Sequence, residues 1–149
     1  MSEITKYFYE GTYPVTKDSK NRVAMPKPLH DVFLQARDSD DYISSYKPGT
    51  NRILFLPRKL LTDLFNTQDL REISPHIRPF STKSLGRFVL PKDQVLFLDI
   101  SDSRELIMTG NHDYWSLYKQ EVWMRHFENI TNHPSNPGQS PKGLEPGDV

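Results

Sequence analysis

The chain has 149 residues, no cysteine, and 19 acidic side chains balanced by 19 Lys and Arg, so its formal net charge is zero. That length suits one domain with a modest core, and the missing cysteine excludes disulfides and thiolate chemistry. No apolar run is long enough to span a bilayer, and Met1-Ser2-Glu3-Ile4-Thr5-Lys6 has no signal-peptide pattern, so a soluble cytoplasmic protein is expected.

Tyr7-Phe8-Tyr9 and Gly11 to Thr16 are aromatic and β-branched and read as a first strand. Asp18-Ser19-Lys20-Asn21 is turn chemistry, because short polar side chains bond local backbone and tolerate left-handed conformations. Arg22 to Met25 returns as a strand. Pro26 and Pro28 stop it and suit a helix start, with Leu29, Val32 and Phe33 at helical spacing. Tyr42 to Tyr46 and Arg52 to Leu56 predict a hairpin around Pro48-Gly49-Thr50-Asn51, and the unbroken run Ile53 to Leu56 predicts burial. Pro57 is expected to start a helix with Leu60, Leu61, Leu64 and Phe65 as its stripe, followed by a short helix over Thr67 to Ile73.

Arg78 to Ser81 is the next strand candidate, Lys83 to Gly86 a turn, and Arg87 to Leu90 a returning strand stopped by Pro91. Lys92 to Leu98 fits a short helix, although Val95 to Leu98 alone also fits a strand. Glu105 to Thr109 and Tyr114 to Tyr118 predict a hairpin around Gly110-Asn111-His112-Asp113. Lys119 to Ile130 is amphipathic, with Val122, Trp123, Phe127 and Ile130 on one side. From residue 131 to 149, Pro and Gly replace apolar residues, the composition of a disordered tail.

Within this order one motif occurs twice. Lys17 to Pro26 is echoed by Thr82 to Pro91: a polar turn, an arginine, three apolar residues, a proline. The arginines and the prolines keep one offset, 65 positions (87 − 22 and 91 − 26). Two copies are too few for a solenoid and predict two half-units that complete one core. The boundaries are residues 1–73 and 74–130. Measured from arginine to hairpin glycine, the spacing is 27 (49 − 22) in the first copy and 23 (110 − 87) in the second, so the second copy is expected to be shorter by about one helical turn.

The neutral total hides an uneven distribution. Lys17, Lys20, Arg22 and Lys27 surround only Asp18, and Arg78, Lys83, Arg87 and Lys92 have no acidic residue between Ser74 and Lys92. From Asp93 onward, acidic residues dominate. Positive charge therefore falls on both motif copies and gives a local potential if they share a face. An arginine closing a tight turn can present two parallel donors to guanine O6 and N7, while neighbouring lysines meet phosphates as point charges. Arg22 and Arg87 are thus the base-contact candidates and Lys20 and Lys83 the phosphate candidates. Asp18 is placed to orient Arg22, and Asn21 and Ser84 to add polar contacts. The competing reading makes Asp18 and Arg22 a turn staple and packs Arg87 over Phe80. The five histidines lack metal-ligand spacing, and no phosphate loop, nucleophile elbow or catalytic carboxylate pair is recognisable, so neither an enzyme nor a cofactor is expected.

The doubled order of strand, Asp-x-Lys-x-Arg turn, strand, proline, short helix, hairpin and helix resembles the MraZ family, the tandem members of the AbrB-like swapped-hairpin regulators. The likeness runs from Tyr9 to about Asn129. It rests on Asp18-Ser19-Lys20-Asn21-Arg22 with Ala24-Met25-Pro26, on Gly86-Arg87 with Val89-Leu90-Pro91, on Leu56-Pro57, and on Trp115 to Tyr118 with Trp123. The chain departs from the family pattern at Asn21, where glycine is usual, and at Lys83, where aspartate is usual. The resemblance implies a mainly β fold with short helices (α+β), a pseudo-symmetric swapped-hairpin β-barrel built from the two repeats. It also implies a nucleoid-associated, ring-shaped homo-oligomer that binds repeated promoter boxes of division and cell-wall genes on double-stranded DNA, with no small-molecule substrate. A related antitoxin, whose C-terminal tail wraps a toxin, is the alternative; such proteins typically carry one motif copy.

Overall fold

The computed structural model describes residues 8–132, and in the last helix the side chains as far as His126. It is a mixed α/β fold in which every strand pairing is antiparallel and the helices are short. The strands are β1 (Thr12–Thr16), β2 (Arg22–Ala24), β3 (Tyr42–Ser45), β4 (Arg52–Pro57), β5 (Arg78–Pro79), β6 (Arg87–Val89), β7 (Glu105–Gly110) and β8 (Trp115–Lys119). The helices are α1 (Lys27–Ala36), α2 (Leu61–Leu64), α3 (Thr67–Ile73), α4 (Lys92–Leu98) and α5 (Gln120–Asn132). None of the described helices is long and apolar enough to cross a membrane.

Six strands form one sheet in the order β1-β7-β8-β4-β3-β5, and β2 pairs with β6 in a separate two-stranded ribbon. The sheet order does not close into a barrel; β1 and β5 are its edges. Both edges suit their position, since each contains a proline (Pro14, Pro79) that cannot donate to a ladder. The two halves of the chain are interleaved in the sheet. Read from either edge, one strand of one half is followed by a hairpin of the other, and exchanging the halves leaves the order unchanged.

The sheet is covered on both faces. Ile53 and Phe55 of β4 point into a cluster with Leu29 and Phe33 of α1, Val23 and Phe88 of the ribbon, Val95 and Leu98 of α4, and Trp115. Leu54 and Leu56 point the other way, onto Leu61, Phe65 and Ile73 around α2 and α3. A strand buried on both faces has no polar side to alternate with, which is why Ile53 to Leu56 is an unbroken apolar run.

Several expectations are met or corrected. Pro57 is both the last residue of β4 and the N-cap of the expected helical segment, which opens as a 3-10 turn, Arg58–Leu60, before the single turn of α2. The first strand begins at Thr12, with Tyr9 making an isolated bridge to His112, while Tyr7 lies outside the described residues. Lys92 to Leu98 is helical, as expected, because Pro91 sets the entry and Asp99, at φ +57°, closes the end. In the second hairpin the left-handed residue is His112 (φ +74°), matching Gly49 (φ +93°), and not Gly110. Counted to that residue, the second copy is shorter by two positions (49 − 22 against 112 − 87), not by four. Helix α5 continues to Asn132, past the expected start of the tail; residues 133–149 lie outside the described part.

Candidate nucleic-acid interface

The first turn is built on one carboxylate. Asp18 Oδ1 accepts the backbone N–H of Lys20 (2.9 Å) and of Arg22 (2.8 Å), and Oδ2 accepts Arg22 Nε at 2.6 Å. This is an aspartate's ordinary turn role with an added charge-assisted bond. The backbone closes with Asn21 N–H on the Asp18 carbonyl and Asp18 N–H on the Arg22 carbonyl. Asn21 sits at φ +61°, where a short amide side chain is tolerated. The Arg22 N–H, then its guanidinium and the Lys20 N–H, hold the Asp18 carboxyl down at about 2.

The second turn repeats the backbone and drops the carboxylate. Lys83 N–H donates to the Arg87 carbonyl (2.7 Å) and Gly86 N–H to the Lys83 carbonyl (3.1 Å), each bond 65 positions on from its counterpart. Gly86, at φ +74°, stands where Asn21 does, and a Cβ there would meet His30 Cγ at 3.1 Å. His30 in turn shares a hydrogen bond with Thr82 Oγ1 at 2.9 Å, and burial pushes its imidazole pKa down. Lys83, however, occupies the place of Asp18. Among the described residues no carboxylate lies within ion-pair distance of Lys83 or Arg87. The tip residue, Leu85, is 81% exposed and left-handed at φ +62°.

The two strands that follow these turns pair with each other. Arg22 faces Val89, Val23 faces Phe88 and Ala24 faces Arg87. Directly opposed residues share a face of a ribbon, so Val23 and Phe88 both point inward and Arg22, Ala24, Arg87 and Val89 all point to solvent. The Val23–Phe88 pair, also 65 positions apart, lies on the pseudo-twofold axis. The bonds Met25 N–H to Gly86 carbonyl and Leu90 N–H to Asn21 carbonyl are exchanged by the same axis. Arg22 and Arg87 are diagonal neighbours on one surface, their Cα atoms roughly 8 Å apart by strand spacing.

Of the residues singled out from sequence, Arg22, Lys83, Ser84 and Arg87 come together around one open depression of about 400 Å³, with no acidic residue in its wall. Ser81 and Val89 also line it. The alternation in Arg87-Phe88-Val89 was the signal that could have found Val89. Asp18, Lys20 and Asn21 are not part of that wall, because each turn precedes its strand and the strands run antiparallel, which puts the turns at opposite ends of the ribbon. Asp18 instead borders a neighbouring depression of about 410 Å³ with Ser19, Asp102 and Arg104. Lys17, counted from sequence among the basic surface residues, is buried and reaches Asn21 Oδ1 at 3.3 Å. Phe80 does not carry Arg87; its ring turns to Phe33, Phe55, Phe88 and Trp115.

Among the described residues no group of three or more His, Asp or Glu is placed to hold a metal ion. Tyr114, Trp115 and Tyr118 are buried in the interior, so they offer no stacking surface for bases. No protein-family model matches the chain, and no curated protein is significantly similar to it.

Proposed function

We propose that this chain is a sequence-specific DNA-binding regulator of the MraZ type, a tandem swapped-hairpin unit that presents its β2–β6 ribbon to the major groove. The observation that carries the reading is the placement of Arg22 and Arg87 on the solvent face of one ribbon, beside Lys83, with a single carboxylate among them. Two-stranded ribbons fit the major groove, and arginine Nη donors match guanine O6 and N7. The interleaving of the two halves in one sheet is the arrangement a swapped-hairpin unit requires.

One chain supplies few cations and so neutralises few phosphates, which makes a single contact weak. A homo-oligomer touching repeated promoter boxes gains avidity through effective concentration, which reconciles the neutral net charge with binding. The test is an affinity measurement against duplexes that the full chain enriches from a randomised library. Replacing both Arg22 and Arg87 by alanine is expected to weaken binding at least about tenfold. Unchanged affinity overturns the assignment of the ribbon, and sedimentation as a monomer with and without duplex overturns the avidity argument.

A further inference from the structure

We infer that the two ends of the ribbon divide the work: the Asp18–Arg22 end reads base edges, and the Lys83–Arg87 end holds the phosphate backbone without reading sequence. This rests on the DNA-binding reading and adds to it an asymmetry that the repeated motif conceals.

The backbone is symmetric and the chemistry is not. Both turns make the same closing hydrogen bonds at the same offset, and β2 and β6 exchange about the Val23–Phe88 pair. A symmetric ribbon with symmetric side chains would read two equivalent half-sites. Here Arg22 is bonded through Nε to Asp18 Oδ2 at 2.6 Å, and Asp18 is itself held by two backbone N–H groups. That bond fixes the side of the guanidinium away from its two Nη groups. The remaining pair of donors is pre-oriented, the geometry a bidentate guanine contact needs, with part of the ordering cost met before binding.

Arg87 lacks this support. Lys83 stands at the position of Asp18, so a second cation replaces the orienting anion, and both line one depression free of carboxylates. Two exposed cations without a shared anion favour a ligand of diffuse negative charge, as a phosphodiester is. An unoriented arginine beside a lysine contributes charge rather than register-specific donors. The neighbouring tip residue differs in the same sense, with Lys20 in the first turn and exposed Leu85 in the second.

The experiment measures dissociation constants of the full chain and its variants, over a salt series, for library-enriched duplexes and for shuffled versions of them. Arg22→Ala is expected to cut the enriched-to-shuffled ratio by roughly tenfold or more. Arg22→Lys, which keeps the charge but not the forked donors, is expected to lose the same ratio while leaving the salt slope unchanged. A residue that only staples the turn would not separate those two readouts. Lys83→Ala and Arg87→Ala are each expected to weaken both duplexes equally and to make the logarithmic salt slope shallower by about one. Equal loss of discrimination in Arg87→Ala and Arg22→Ala overturns this division of labour and leaves the DNA-binding reading standing. Failure of the unaltered chain to bind any duplex overturns both.

Discussion

Asp18 shows how much one carboxylate organises. It accepts three donors, from Lys20 and Arg22 backbone and from Arg22 Nε, and its pKa is held at about 2 against the usual 3.8. Because the folded value is the lower one, its stabilising effect is complete above the unfolded pKa and is lost as pH falls through the folded one. An NMR titration is expected to show the Asp18 carboxyl still ionised at about pH 3; an ordinary carboxylate midpoint would remove the clamp from the argument. Leu85 is the opposite case, a bulky exposed residue held left-handed at φ +62° with nothing to pack on. Such conformations cost a side chain with a Cβ roughly 1 kcal/mol or more. Leu85→Gly is therefore expected to raise unfolding stability by about 0.5–1 kcal/mol, read by chemical denaturation, and a loss of stability would mean that the leucine is packed.

At the scale of elements, α1 supports the ribbon's second turn. His30 lies under Gly86 and bonds Thr82, and burial lowers its pKa below 6.5. The folded state thus prefers neutral imidazole, while the unfolded chain takes up a proton first. Stability contributed by this group is full above the unfolded value and is lost as pH falls through the folded one. Denaturation between about pH 7.5 and about pH 5.5 is expected to show declining stability, and His30→Asn is expected to flatten the decline. Identical slopes would exclude His30 as the cause. The hairpins and α1 were legible in the sequence because each has a dominant period and clear punctuation: proline at the start of α1, Pro-Gly and Gly-Asn between strands. The Pro57 junction was legible in part: the proline opens a helical segment as expected, but only the pairing of Tyr42 with Pro57 makes it the last residue of β4 as well.

Across the whole molecule, the ribbon is attached to the sheet chiefly by its inward pair. Phe88 is buried and meets Phe55 and Phe80 edge-on at 5.6 and 5.1 Å. Phe88→Ala is expected to cost about 3–5 kcal/mol in unfolding stability, the usual range for removing a buried ring. A cost below about 1 kcal/mol would show that the ribbon is held by other means. The same contact explains how two arginines far apart in sequence share a surface. With Val23 and Phe88 committed to the core, strict alternation sends their neighbours outward on both strands.

By itself the sequence determined what depends on neighbours along the chain: the doubled turn–strand–proline unit, the helix starts, the hairpins, and the concentration of positive charge on both copies. It carried the candidates Arg22, Arg87, Lys83 and Ser84 as individuals. Only the tertiary structure decided that these four surround one depression while Lys20 lies toward the other end, that Lys17 and Arg52 are buried although charged, and that the six-stranded sheet stays open. The physical reason is that alternation tells which residues share a strand face, but not which strand lies beside it. That choice is made by long-range burial, here of Val23 against Phe88, which no local pattern encodes.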